Sequence, residues 1–150
     1  EIFDLVIADH VLFYCEDIPQ VLAECRRVLK NGGRFLCSTY GKQHMREITD
    51  LVQQFHKEIV LSAEVLYERF GLENGENLLA PYFSEIQMRR YEDAIEIAEA
   101  EPLISYILSC HGNQNQLLLN QYKEFREFVS ARVADGFHIT KDAGIFLCRK

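Results

Sequence analysis

The chain has 150 residues, of which 48% are hydrophobic and 26% charged. That is enough for one cored domain and excludes disordered, collagen-like and low-complexity chains. With 16 basic against 23 acidic residues the net charge is −7, which argues against a broad basic surface for nucleic acid.

The five cysteines, Cys15, Cys25, Cys37, Cys110 and Cys148, are odd in number and form no CxxC pair. That usage leads us to expect a reducing, cytoplasmic setting. No stretch approaches the roughly 18 apolar residues that span a bilayer, so no membrane partner is expected. The sequence enters an apolar strand pattern directly at Glu1, as a piece of a longer protein would. The closing AGIFLCRK reads as a natural C-terminus.

Residues 3 to 8 form a nearly continuous apolar run, expected as a strand covered on both faces. Ile18, Val21, Leu22, Cys25, Val28 and Leu29 then draw one apolar stripe at helical spacing. Asp17 is the expected cap and Pro19 pre-sets the first turn. Arg27 and Lys30 suit the negative end of the helix, and Gly32 and Gly33 are expected to terminate it. Arg34 to Thr39 is a second buried strand. A strand, a helix and a strand with this spacing predict a right-handed parallel crossover.

A helix is expected from His44 to Phe55 and another from Glu58 to Phe70. After a loop containing Pro81, the segment from Glu85 alternates as a half-exposed strand. A short helix over AEPLISYILSCHG and a long one from Asn113 to Asp135 follow. FHITKDAGIFLCRK predicts strand, tight turn, strand, with Asp142 and Gly144 in the turn. The fold class is therefore α/β. It is a partial doubly wound, Rossmann-like, mostly parallel sheet with a helical insertion and an antiparallel closing strand.

Chemistry-bearing patterns are few. Cys15 lies near His10 and Cys110 adjoins His111, but neither pair has the third group that a nucleophile and base require. The five histidines show no metal-ligand spacing, so no metal is expected. Gly32 and Gly33 follow a helix, so no GxGxxG or Walker loop is present. The acidic stretch of Glu92, Asp93, Glu96, Glu99 and Glu101 reads as a solvated face. The candidate site is ADHVLFY, residues 8 to 14, immediately after the carboxyl end of the first strand. Open parallel sheets bind ligands at that rim. Tyr40, at the end of the second strand, stands on the same edge and could wall the cleft.

The segment FDLVIADHVLFYCEDIPQVLAECRRVLKNGGRFLCSTYG resembles the second half of class I S-adenosylmethionine-dependent methyltransferases of the small-molecule, type 11 kind. Phe3 to Val6 match the fourth strand of that family's sheet. Asp9 to Tyr14 match the loop beneath the cofactor, and Arg27 to Gly33 match the helix end before the fifth strand. The resemblance covers about forty residues. It implies that Ala8 and Asp9 approach S-adenosylmethionine, and that His10 and Phe13 stand near the acceptor or adenosyl edge. It designates no catalytic base. The family's N-terminal glycine loop and ribose-binding acid have no counterpart here.

The resemblance therefore implies that residues 1–150 are the C-terminal portion of a methyltransferase domain. By itself this portion is expected to be inactive. The full-length protein would transfer a methyl group to a small molecule. A sheet edge exposed on one side would allow a homodimer. Two alternatives stay open: a non-catalytic binding or oligomerisation module, and a truncated reductase with a nucleotide cofactor.

Overall fold

The computed structural model describes residues 1–62 and 65–150. Its opening follows the expected order, with β1 (Phe3–Asp9), α1 (Ile18–Val28) and β2 (Leu29–Tyr40). Then come α2 (Arg46–Phe55), α3 (Leu66–Arg69), α4 (Gly75–Leu79) and β3 (Ser84–Ile97). The chain closes with α5 (Ala100–Ser109), α6 (Gln114–Leu118), α7 (Tyr122–Val133) and β4 (Phe137–Arg149). The sheet order is β1-β2-β4-β3.

β1 and β2 run parallel, with Val6 opposite Phe35 and Ala8 opposite Cys37. β2 and β4 run antiparallel, with Phe35 opposite Cys148 and Cys37 opposite Phe146. The "mostly parallel" expectation is thus met only in the β1–β2 pair. A crossover helix separates those two strands, and α1 supplies it.

The α1 helix starts as its sequence dictates. The Asp17 side chain accepts the Gln20 amide at 2.8 Å and satisfies one unpaired helix donor. The helix ends at Val28 rather than at the glycines, because Leu29 turns extended and is fully buried. Gly32, at φ 76°, lies in the irregular stretch where the β1–β2 register slips between Leu29 and Arg34. A left-handed residue there favours glycine for its missing Cβ.

Two compact units are distinguished. The first comprises Glu1–His44, Val65–Glu92 and Asp142–Lys150. Its core joins Ala8, Leu12, Phe13, Leu22, Leu29, Phe35, Cys37, Phe70, Leu79 and Phe146. Register places Val6, Ala8, Phe35, Cys37, Phe146 and Cys148 on one sheet face, packed against residues of α1, α3 and α4. The other face carries Leu5, Ile7, Leu36 and Leu147. Leu5 is 48% and Ile7 59% exposed. The expectation of β1 buried on both faces is therefore corrected: β1 ends the strand order, and the core lies on one face of it. An open hollow of about 450 Å³ lies on the uncovered face, lined in part by Leu5, Leu36 and Leu147.

The second unit comprises Met45–Glu64 and Asp93–Lys141. Ile48, Leu51 and Val52 of α2 pack with Leu103, Ile104 and Ile107 of α5 and with Phe125, Val129 and Val133 of α7. The expected long helix from Asn113 to Asp135 is two helices, broken between Leu118 and Tyr122. Its second part packs with helices α2 and α5 instead of lying on a sheet face alone. The expected helix from Glu58 to Phe70 crosses residues 63 and 64, which lie outside the described residues. Within them only Leu66–Arg69 is helical. The acidic stretch is exposed as expected, and Asp93, Glu96 and Glu101 pair with Lys141, His138 and Arg126.

The expected turn at Asp142 and Gly144 is absent, and β4 runs unbroken from Phe137 to Arg149. Both residues are buried for packing reasons. Asp142 accepts the Gln43 amide at 3.0 Å and pairs with Arg90 at 3.5 Å. A Cβ on Gly144 would meet the Arg89 carbonyl oxygen at 2.7 Å.

Candidate functional site

The loop that follows β1 leaves the sheet at the carboxyl end of the parallel pair. Ala8 is buried on the core side and Asp9 is exposed at the strand end. The chain then turns sharply at His10, which has φ 46°. A non-glycine residue in the left-handed region is held there only by its surroundings. Here the His10 amide donates to the Ser38 hydroxyl at 3.0 Å. That same hydroxyl donates to the Asp9 carboxylate. One buried serine on β2 thus ties down both residues of the turn.

A short 3-10 turn, Leu12–Tyr14, comes next. Leu12 and Phe13 are buried and anchor the loop in the core, while Tyr14 is 64% exposed. The far side of the loop is held by Arg69, which donates to the Cys15 carbonyl at 2.7 Å. The Thr39 hydroxyl donates to the Phe70 carbonyl at 2.6 Å, so the segment that carries Arg69 is itself fastened to β2.

Tyr40 is the hub of the rim. Its ring lies 4.5 Å from that of His10, 5.4 Å from Phe13 in a stacked arrangement, and 4.5 Å from His44, also stacked. Phe13 meets Tyr14 edge-on at 4.7 Å. Offset and edge-on contacts of this kind hold a cluster together beyond its area burial. Burial pushes the Tyr40 phenol above its ordinary value of 10.0, and the nearby Tyr14 phenol and Asp9 carboxylate push it further. Tyr40 therefore stays protonated at neutral pH as a hydrogen-bond donor.

The structure thus brings together three of the four predicted residues around the same rim: Asp9, His10 and Phe13. Ala8 stands one residue back, facing the core. Tyr40, expected on the same edge, joins them through its ring contacts with His10 and Phe13. Ser38 and His44 were not foreseen. Ser38 sits in a strand that reads as core, and only its register opposite Asp9 discloses its role. His44 stacks on Tyr40 from the following loop, at a distance along the chain that no periodic pattern marks. The His10 Nδ1 atom is buried and has no hydrogen-bond partner among the described residues. Burial pushes the Cys37 and Cys148 thiols well up, that of Cys148 to about 12. No group of residues that could hold a metal occurs among the described residues.

Behind the rim, Gly41 is pressed against the buried Asp142. A Cβ at Gly41 would collide with the Asp142 carboxylate. The Gly41 amide donates to the Asp142 carbonyl at 2.8 Å. Arg90 also pairs with Glu73 at 3.3 Å, and Glu73 accepts the Lys42 amide at 3.0 Å. The loop that carries Tyr40 into His44 is therefore fixed by charge on its inner side.

Residues 1–37 match the family model described as methyltransferase domain. A malonyl-[acyl-carrier protein] O-methyltransferase of Hamiltonella defensa subsp. Acyrthosiphon pisum is 28% identical over 85 residues, which are 57% of this chain and 31% of the relative. The enzyme of the same name from Nitrosospira multiformis is 41% identical over 44 residues, 29% of this chain and 14% of the relative. The chain thus spans a third or less of the length of these curated relatives. Among solved structures, a putative methyltransferase of Bacillus halodurans superposes with a TM-score of 0.54 at 12% identity, covering 100% of this chain and 65% of that one. The YcgJ protein of Bacillus subtilis gives 0.56 at 13% identity, covering 99% and 64%. The fold is that of the methyltransferases, and the sequence resemblance to the class I, type 11 kind holds. Neither the binding-module nor the reductase alternative is favoured by these likenesses.

Proposed function

We propose that residues 1–150 form the C-terminal portion of a methyltransferase domain. In the full-length protein this domain would transfer a methyl group from S-adenosylmethionine to a small-molecule acceptor. The observation that carries the reading is the parallel β1–α1–β2 unit whose carboxyl rim gathers Asp9, His10, Phe13 and Tyr40. The chain's span of 31% of its relative from Hamiltonella supports its being a portion.

The buried His10 Nδ1, which has no hydrogen-bond partner among the described residues, supports a polar ligand at this rim. Ala8 and Asp9 would face the cofactor through their backbone, and His10 and Phe13 would border its adenosyl or acceptor edge. The cofactor, when bound, supplies an activated methyl group on a positively charged sulfur. The chain's own contribution is placement. Ser38 holds the Asp9–His10 turn, and the buried Phe13 backs the Tyr40 ring at the rim.

The acceptor is a small molecule rather than nucleic acid, a reading supported by the net charge of −7. A membrane partner is not proposed: no helix of the described residues is long and apolar enough to cross one. Five unpaired cysteines support a reducing, cytoplasmic setting. The position of β1 at the end of the strand order supports a homodimer joined along that edge.

Calorimetry with S-adenosylmethionine on both lengths tests the reading. The full-length protein is expected to bind it and residues 1–150 alone are not. Absence of binding by the full-length protein would refute methyl transfer, and tight binding by residues 1–150 would refute their being an incomplete domain.

A further inference from the structure

The sheet face opposite the core of the first unit is apolar where water would favour polar side chains. Register sets Ile7, Leu36 and Leu147 in one row across it, and Leu5, Arg34 and Arg149 in the next. Leu5 and Ile7 are both exposed. A sheet face that meets water alternates to polar residues, whereas parallel strands are apolar on both faces because both are covered. The helices of the first unit, α1, α3 and α4, pack on the core side, so no described helix of this unit is left for the other face.

Size and charge define what would cover it. Four strands spaced about 4.8 Å apart make a face about 14 Å across, which suits a single helix of about 10 Å diameter. Arg34 and Arg89 line the open hollow on this face, both are exposed, and neither forms an ion pair among the described residues. Glu85 is the one carboxylate among the described residues lining the hollow, and it is already paired with Arg149 at 3.2 Å. A second copy laid on this face would bring the arginines of both copies together with no free acid to offset them. A helix with acidic residues beside an apolar stripe matches both the leucines and the arginines. The fold itself includes chain beyond this portion, since residues 1–150 cover 64% of YcgJ.

We propose that, in the full-length protein, an amphipathic helix from the segment preceding residue 1 lies across this face. Its apolar stripe rests on Leu5, Ile7, Leu36 and Leu147, and its acidic side chains meet Arg34 and Arg89. This rests on the reading of residues 1–150 as the C-terminal portion of a domain, and it names the partner surface of that portion.

The test uses the full-length protein. The photo-cross-linker p-benzoylphenylalanine is introduced at position 7, and the cross-linked peptides are identified by mass spectrometry. The expected product joins position 7 to the segment preceding residue 1 within one chain. A cross-link between two chains, or to a segment within residues 1–150, overturns the proposal. Because that side chain is bulky, the smaller Ile7→Cys is labelled with a maleimide beside Lys123→Cys, a reference at an exposed position. Position 7 should react at least about tenfold more slowly than the reference in the native protein and equally fast in urea. Equal rates in the native protein overturn the proposal.

Arg34→Glu reads the charge. On an uncovered face the new carboxylate would stand opposite Arg149 and leave the melting temperature unchanged or raised. Beneath an acidic helix it should lower the melting temperature by several degrees, and Arg34→Lys should not. An unchanged or raised melting temperature overturns the acidic character of the helix. Methyl-donor calorimetry on the same samples separates this inference from the functional reading. The expected cross-link without methyl-donor binding keeps the covering helix and removes methyl transfer. Methyl-donor binding with position 7 open to the maleimide does the reverse.

Discussion

The Ser38 hydroxyl receives the His10 amide at 3.0 Å and gives its own proton to the Asp9 carboxylate. A residue from the interior of β2 therefore sets the geometry of the turn after β1. Ser38→Ala should leave the core intact, because it removes a hydroxyl and adds no bulk. It should free the turn and weaken methyl-donor binding by the full-length protein several-fold. Calorimetry beside a thermal melt checks this. A large drop in melting temperature with unchanged binding would make Ser38 purely structural.

Gly41→Ala should destabilise the protein by about 1–3 kcal/mol, the usual cost of forcing bulk into a packed site. The new methyl group would collide with the Asp142 carboxylate, which cannot retreat without releasing the Gln43 amide and Arg90. Urea unfolding reads the change. A neutral result would mean that Asp142 moves freely.

Leu29→Ala should cost about 2–5 kcal/mol, as truncation of a buried leucine does. Leu29 is fully buried where α1 gives way to β2. Methyl-donor binding by the folded fraction of the full-length protein should survive, since Leu29 pairs with Phe3, at the end of β1 away from the rim. Denaturant titration and binding measured on the same sample separate the two effects.

Asp17→Ala should cost about 1 kcal/mol through loss of the cap on the Gln20 amide. Asp17→Asn, which keeps an accepting oxygen, should restore most of it. Equal losses in both variants would show that charge rather than capping is at work.

Glu47 lends a pH dependence. Burial pushes its carboxyl up, but hydrogen bonds from the Thr140 hydroxyl and amide outweigh that and hold it below its ordinary 4.5. A lowered folded value contributes stability that is full above pH 4.5 and is lost as pH falls through the folded value. The stability difference between the wild type and Glu47→Gln should therefore be largest near neutrality and shrink below about pH 4.5. A difference that is flat with pH would remove Glu47 from the acid transition.

The first forty residues were legible because their signals are local. A capping aspartate, a proline in the first turn and one apolar stripe specify α1 without reference to anything distant. Residues 8 to 14 were marked by their place after a strand, and Asp9, His10 and Phe13 within them by the family resemblance. Ser38 was hidden because a hydroxyl inside an apolar strand looks like core until its cross-strand neighbour is known. Asp142 and Gly144 looked like a turn because their composition suits one, yet each is held in mid-strand by distant partners, Gln43 and Arg90 for the first and Arg89 for the second. The break at Leu119 to Gln121 was equally invisible, since Leu118 before it and Tyr122 and Phe125 after it keep helical spacing across it. The exposure of β1 depends on strand order, which no run of six residues encodes.

That exposure has a practical bearing. Leu5 and Ile7 present greasy side chains to water in the middle of a strand, so molecules produced as residues 1–150 should cling to one another at high concentration and precipitate before they unfold. Lysine at position 7 would disrupt no core contact and should keep such preparations clear, which makes it a useful starting point for work on residues 1–150.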